Sequence, residues 1–196
     1  MDNKSIIKQN IIKKSIRVMY LKGYNATGVK DLADAASIPK GSFYYYFKTK
    51  EEYAIEALKY YMDDLGFERF SLLNDENVEP LDRIKKFYLS KIDNMKNEDY
   101  KLGCFIGNLS QELGDVNLEI SKVTEMMHEK TVCKVLKCIV LAQEKYDFKP
   151  LIEPTVLADV IINNWQGALV RMKSSRSNKP LEQFYHLLED VLLKSK

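Results

Sequence analysis

Apolar residues recur at intervals of three and four positions along most of this chain, and this spacing constrains the fold more than any other feature. One such face carries Leu157, Ile161 and Trp165 on the same side of a helix. No segment keeps the alternation of apolar and polar residues, rich in β-branched side chains, that predicts a strand. The few glycines and prolines stand between the periodic segments. The sequence therefore predicts an all-α protein.

Capping residues mark the ends of the N-terminal helices. Gly23 is placed to end the first helix in a left-handed cap, and Thr27 is a suitable N-cap for a short second helix. Pro39 suits the first position of a third helix. Thr49 and Glu52 form a capping box that opens a long fourth helix. The pattern predicts two short helices joined by a tight turn, which is the helix-turn-helix arrangement.

Charge is distributed unevenly along the chain. Residues 1–50 carry ten Lys or Arg against three acidic residues, a net charge of +7, whereas residues 51–196 carry a net charge of −5. This division favours a basic module that meets a polyanion, joined to an acidic body that does not. On charge alone, a basic solvated surface remains an equal alternative to a nucleic-acid site.

Several functional classes are disfavoured by composition. The chain has no apolar run of about 18 residues and no signal-peptide pattern at its start, so the cytoplasm is the expected compartment. Its three cysteines and two histidines match no metal-ligand or disulfide spacing. No nucleophile-base-acid set or phosphate-binding loop can be assembled from two histidines and eight glycines. We therefore expect no metal, no cofactor and no enzymatic activity.

The stretch FYYYF holds two phenylalanines around three tyrosines in the third predicted helix. Since successive residues on a helix turn by about 100°, Phe43 and Phe47 share the inner face and Tyr45 falls opposite them. Gly41 and Ser42 also fall on the outer side. Hydroxyl groups can bind phosphate oxygens, a tyrosine ring can pack on a thymine methyl, and glycine permits close approach. We predict that this outer face meets DNA.

Two stretches, TGVKDLA from Thr27 and SIPKGSFYYYFKTKE from Ser37, resemble the N-terminal domain of the TetR family of bacterial transcriptional regulators. The resemblance extends over about residues 6–55. It implies a helix-turn-helix DNA-binding domain over residues 1–50, with the motif at about 28–47. Residues 51–196 would form a helical effector-binding and dimerisation domain.

The chain departs from the family pattern at three places. Ser37 stands where glycine is usual, Pro39 where a serine N-cap is usual, and the pair Tyr45 and Tyr46 where histidine is frequent. The base preference of the family therefore does not transfer to this chain.

The resemblance also implies which residues touch DNA. Thr27 and Lys50 would hold phosphate groups, and Lys30 would lie near the groove edge. A homodimer would place two recognition helices about 34–36 Å apart on a palindromic operator. The complete set of implied contacts is Thr27, Lys30, Lys40, Gly41, Ser42, Tyr44, Tyr45, Tyr46 and Lys50.

In the family the last two helices form the dimer interface, and the effector cavity lies between this interface and the fourth helix. The expected interface residues are Leu157, Ile161, Trp165, Ala168, Leu169, Leu181, Phe184, Leu188 and Leu192. The expected effector contacts are Tyr61, Phe67, Tyr88, Cys104, Asn108, Met127 and Trp165. For each of the latter, a place in the core is the alternative.

Cys104 has two interpretations. It lies in a stretch similar to one branch of the family in which some members sense electrophiles through a cysteine, and a nearby helix N-terminus would favour its thiolate. The alternative is an inert core thiol. The sequence thus predicts a ligand-responsive repressor, and the alternative function is a helical protein that binds a small molecule or a partner and has lost DNA binding.

Overall fold

A computed structural model describes residues 3–195 of the chain, apart from the side chains of residues 63–69. Within this range the chain forms nine α-helices and no strand, which confirms the all-α prediction. The last helix continues into a π-helical turn, Leu188–Leu192. The helices are α1 (Asn3–Lys22), α2 (Val29–Ala36), α3 (Lys40–Tyr46), α4 (Lys50–Asn74), α5 (Pro80–Asn97), α6 (Phe105–Leu113), α7 (Leu118–Tyr146), α8 (Pro154–Ser175) and α9 (Lys179–Leu187).

The contacts within the chain define two compact units. The first comprises Met1–Gly66 and Phe105–Met126, and the second comprises Phe67–Cys104 and Met127–Lys196. Helix α6 thus belongs to the same unit as α1, α2 and α3. None of the helices within residues 3–195 has the length and apolar content that crossing a bilayer requires.

The turn between α1 and α2 follows the predicted cap at one end and departs from it at the other. Gly23 has φ +84°, and its N–H donates to the Met19 carbonyl at 2.9 Å, which confirms the left-handed cap. The N-cap of α2 is Gly28, whose N–H donates to Asp31 Oδ2 at 2.8 Å. Thr27 as the N-cap was wrong, because its hydroxyl donates backwards to the Gly23 carbonyl.

The turn between α2 and α3 shows why glycine is the usual residue at the position of Ser37. This residue has φ +58° and ψ +42°, and its N–H donates to the Asp34 carbonyl at 3.0 Å. The N–H of Ile38 donates to the Ala33 carbonyl at 3.0 Å, which completes the helix cap. A left-handed residue with a Cβ costs about 1–2 kcal/mol, so glycine is the less strained choice here. Pro39 precedes the first helical residue instead of occupying that position.

Aromatic packing fixes α3 to the first unit. Phe43 and Phe47 are fully buried, and their ring centres lie 5.5 Å and 5.1 Å from the ring of Tyr53 on α4. The hydroxyl of Tyr53 lies 2.7 Å from that of Ser15 on α1, within hydrogen-bonding distance. Burial raises the pKa of Tyr53, against a smaller lowering by the Ser15 hydrogen bond, so the phenol stays neutral. Helices α1, α3 and α4 therefore share one core.

The second unit contains an aromatic cluster and all nine residues expected at the dimer interface. The rings of Tyr88, Trp165 and Phe184 lie 4.9–5.3 Å apart. Seven of the nine expected interface side chains are buried within the chain, and their place at a dimer interface stays a prediction: Leu157, Ile161, Trp165, Leu169, Leu181, Phe184 and Leu188. Helical spacing identifies a buried face, and here the neighbouring helices of the same subunit cover it.

The outer side of α8 and α9 carries a groove whose lining includes two of the expected interface residues, Ala168 and Phe184. This groove of about 500 Å³ runs along that side, where Gly167 has open space around the position of a Cβ. Val170 on α8 and Val191 in the π-helical turn after α9 are exposed apolar side chains. The groove is lined by Asn163, Asn164, Gly167, Ala168, Arg171, Pro180, Gln183, Phe184 and Leu187.

Candidate nucleic-acid interface

The outward face of α3 carries the tyrosines that the helical spacing predicts. Tyr45 is 69% exposed and Tyr44 is 48% exposed, while Tyr46 is half-buried. Phe43 and Phe47, on the opposite side, are fully buried. The structure thus confirms that the two phenylalanines anchor the helix and that the tyrosines between them remain available to a partner.

The first turn of α3 leaves space for a close approach. Gly41 is exposed, and a Cβ added there would meet no atom within 4 Å. Lys40 before it is exposed and Ser42 after it is half-buried. A nucleic-acid backbone can therefore approach the start of this helix without steric hindrance, and a positive charge lies beside that position.

Lys4, in the first turn of α1, adds a positive charge beside the exposed tyrosines of α3. Its ammonium lies 5.0 Å from the centre of the Tyr45 ring, and that ring meets the Tyr46 ring edge-on at 5.0 Å. Sequence reasoning missed Lys4 because 41 positions separate it from Tyr45. Only the excess of basic residues in this part of the chain pointed to it.

Lys8 and Glu52 support the end of α3. Lys8 Nζ lies 2.9 Å from Glu52 Oε1, and Glu52 Oε2 accepts the Lys48 N–H at 2.8 Å. The Lys8 hydrogen bond is the main cause that lowers the pKa of Glu52. The Glu52 N–H donates to Thr49 Oγ1 at 3.0 Å, as the predicted capping box requires. The carboxylate, however, reaches back to Lys48 instead of to Thr49.

Two of the expected phosphate contacts are engaged inside the subunit. The Lys50 ammonium donates to the carbonyls of Tyr24 at 3.0 Å and Thr27 at 3.1 Å. Thr27 is 1% exposed, so its side chain does not share the surface formed by α3. Lys30 is exposed on α2, and Lys48 is exposed beyond the end of α3. The structure therefore brings the α3 residues together, whereas Thr27 is buried and Lys50 binds two backbone carbonyls.

Tyr24 connects the turn between α1 and α2 to the start of α4. Its hydroxyl donates to Glu51 Oε1 at 2.7 Å. Burial, and next the neighbouring Glu51 carboxylate, raise the pKa of Tyr24 far above its usual value. The same hydrogen bond is the main cause that lowers the pKa of Glu51. The pair holds the turn against α4 whenever Glu51 is ionised.

The expected effector contacts fall into both units. Tyr61 and Asn108 belong to the first unit, whereas Tyr88, Cys104, Met127 and Trp165 belong to the second. Of these, the structure brings Tyr88 and Trp165 into direct ring contact. The side chain of Phe67 lies outside the described residues.

The three cysteines form no disulfide with one another and lie in different surroundings. Cys104 is half-buried and Cys133 is exposed. Cys138 is buried, and its thiol donates to the Leu73 carbonyl at 3.4 Å. Burial raises the pKa of Cys138, so that thiol is held in its unreactive form.

Known proteins resemble this chain in both parts. Residues 11–57 match the family described as bacterial regulatory proteins, tetR family, and residues 80–188 match the tetracyclin repressor-like C-terminal domain. The HTH-type transcriptional repressor DhaR of Mycobacterium sp. strain GP1 is 33% identical over 189 residues, which cover 96% of this chain and 93% of DhaR. The transcriptional regulator AcuR of Cereibacter sphaeroides is 28% identical over 186 residues, covering 92% of this chain and 82% of AcuR.

A solved structure shows the same fold. The regulatory protein TetR from Rhodobacter sphaeroides superposes with a TM-score of 0.86 at 26% identity, over 94% of this chain and 97% of that protein. Both the N-terminal helices that carry the exposed tyrosines and the helices that follow therefore have counterparts in known regulators. The chain belongs to the TetR family of bacterial transcriptional regulators.

Proposed function

We propose that this protein is a ligand-responsive repressor that binds a palindromic operator as a homodimer and leaves it when a small-molecule effector binds. In this proposal residues 1–50 read DNA, residues 51–196 bind the effector and dimerise, and the protein acts in the cytoplasm. The name of DhaR, a transcriptional repressor, supports the direction of the effect. The observation that carries the proposal is the exposed aromatic face of α3.

The start of α3 would enter the major groove. Tyr45, as the most exposed of the three tyrosines, is placed to pack on a thymine methyl or a sugar. Gly41 lets the helix approach the DNA backbone, and Ser42 has a hydroxyl suited to a phosphate oxygen. Tyr44 and Tyr46 flank this contact on either side.

Phosphate contacts would come from the exposed lysines around α3. Lys4, Lys40 and Lys48 surround the tyrosine face and are all exposed. Lys30 on α2 is exposed as well. The Thr27 side chain is left out of this set because it is buried. Lys50 already donates two of its three N–H groups within the subunit, so its main part is to support the turn.

A second copy of the chain would cover the exposed side of α8 and α9. Gly167 offers close approach between helices, Phe184 and Leu187 contribute to the lining of the groove, and Val170 and Val191 are further exposed apolar side chains. Dimerisation through this side would set the distance between the two α3 helices. Effector binding would change that distance with a coupling free energy of about 1–3 kcal/mol.

The test selects DNA duplexes from a random library with the purified protein and then measures the affinity for the selected duplex across salt concentrations. We expect a palindromic sequence and a steep fall in affinity as salt rises, because each phosphate contact releases counterions. The double variant Lys40→Ala/Lys48→Ala removes two phosphate contacts from each protomer and should therefore reduce the salt slope of the dimer by about four. Selection of no sequence, or binding that is independent of salt, would favour the partner-binding alternative.

A matched control removes two exposed lysines from the second unit. The double variant Lys96→Ala/Lys145→Ala loses the same charge from exposed positions of the other unit. Its salt slope should equal that of the wild type. An equal reduction in both double variants would show that net charge, and not the α3 face, determines DNA binding.

A further inference from the structure

The turn between α1 and α2 is held by a carboxylate that is distant in the sequence. Glu112, in the last turn of α6, accepts the Tyr24 N–H on Oε1 at 2.9 Å. It accepts the Asn25 N–H on Oε2 at 2.8 Å. Both oxygens of one carboxylate are thus used by two successive backbone amides, in charge-assisted hydrogen bonds stronger than neutral ones.

Gly23 is matched to this carboxylate. A Cβ at this position would lie 2.5 Å from Glu112 Oε1, so the carboxylate would have to shift from its present position. The backbone of Gly23 also has φ +84°, which disfavours residues with a Cβ. The glycine therefore both allows the turn and leaves the space through which Glu112 reaches it.

Two side chains of α4 bind other polar groups of the same turn. Lys50 donates to the carbonyls of Tyr24 and Thr27, and Glu51 accepts the Tyr24 hydroxyl. The N–H and the carbonyl of Tyr24 are therefore both bound by side chains, one from α6 and one from α4. A surface turn would normally leave such groups to water.

The turn leads directly into the helices that would read DNA. Helix α2 begins at Val29, and its first turn is tied to the end of α1 through Asp31, which binds the Gly28 N–H and lies 3.1 Å from Lys22 Nζ. Displacement of the turn would therefore displace α2 and, with it, α3. A recognition site requires such support to hold its contacts in place.

We propose that Glu112 is a positioning residue for DNA binding, whose carboxylate fixes the turn over residues 23–27 and thereby the orientation of α2 and α3. Glu112 acts through the turn and does not itself touch DNA. The inference rests on the proposed function, since it concerns how well the α3 face reaches its operator.

The sign of the effect separates positioning from electrostatics. Removal of a negative charge from the first unit, which contains α3, would by itself strengthen the attraction to phosphate groups. Weaker DNA binding after neutralisation of Glu112 must therefore come from lost geometry. Asp115, an exposed acidic residue just beyond the end of α6, offers the matched charge control.

The experiment compares three variants with the wild type on the DNA duplex that the wild type selects. Glu112→Gln keeps the size of the side chain and exchanges one acceptor oxygen for a donor NH2 group. We expect about tenfold weaker affinity at an unchanged salt slope, with faster hydrogen exchange at the Tyr24 and Asn25 amides. Asp115→Asn should bind at least as tightly as the wild type. Ile11→Val, which removes a buried methylene from α1, measures how DNA affinity responds to lost stability alone.

Wild-type affinity in Glu112→Gln, together with faster exchange at the two amides, would overturn the inference and leave the proposed function intact. The inference would also fail if Ile11→Val and Glu112→Gln lost the same unfolding free energy and weakened DNA binding equally. Failure of the wild-type protein to bind any selected duplex would instead overturn the proposed function, and this inference with it.

Discussion

The Lys50 ammonium donates a 3.0 Å hydrogen bond to the Tyr24 carbonyl and lies 4.0 Å from the centre of the Tyr24 ring. A lysine at the start of α4 thus supports the turn between α1 and α2 through both the backbone and the side chain of one residue. Its position in the family pattern implied a phosphate contact, whereas its partners in the structure belong to the same subunit.

Lys50→Ala is expected to lower the unfolding free energy by about 1–2 kcal/mol, because two carbonyl groups lose a charged donor. Lys48→Ala, two positions earlier, removes an exposed side chain and should change the unfolding free energy by less than about 0.5 kcal/mol. Urea unfolding followed by circular dichroism would measure both values. Equal stability of the two variants would show that the Lys50 hydrogen bonds contribute nothing.

Tyr45→Ala is expected to reduce the preference for the selected operator over random duplex DNA by about tenfold, because the exposed ring loses its base contact. Stability should hardly change, since the side chain is mostly in solvent. Competition titrations would measure the preference. Tyr146→Ala removes another exposed tyrosine, far along the chain on α7, and should leave it unaltered. Equal operator preference in the two variants would show that the outer face of α3 does not contact the bases.

Ser37→Gly is expected to raise the unfolding free energy by about 0.5–1 kcal/mol. The gain comes from relief of the left-handed conformation and is offset in part by the greater freedom of glycine in the unfolded chain. Ser37→Ala should bring no such gain, because alanine retains the Cβ that is strained in the left-handed conformation. Urea midpoints with an unchanged slope would measure the effect, and a less stable glycine variant would contradict it.

Acidification is expected to weaken the first unit through Glu52. Its lowered pKa means that the ionised carboxylate stabilises the fold above the usual value of 4.5, and this contribution is lost as the pH falls through the lower folded pKa. Unfolding free energies of the wild type and Glu52→Gln, measured from neutral pH to below 4.5, should converge on the acid side. Parallel curves would show that the Lys8 pair has no part in acid stability.

Local regularities in the sequence determined the class of protein and the face it presents. The three-and-four spacing fixed the helices, and the spacing of Phe43 and Phe47 placed Tyr45 opposite them, as the structure confirms. Membership of the TetR family likewise confirms a DNA-binding regulator and not an enzyme. These features follow from relationships within one helix or one turn, which depend on neighbouring residues alone.

Tertiary structure decided what covers each face and which distant group satisfies each polar atom. The stripe containing Leu157 and Ile161 packs inside the subunit, although its spacing would serve a dimer interface equally well. Glu112 and Lys50 bind the backbone of the turn that contains Tyr24. They are 88 and 26 positions away from Tyr24 in the sequence. Helical periodicity specifies that a side is buried, but the chain must fold before the partner of that side, or of a backbone amide, is defined.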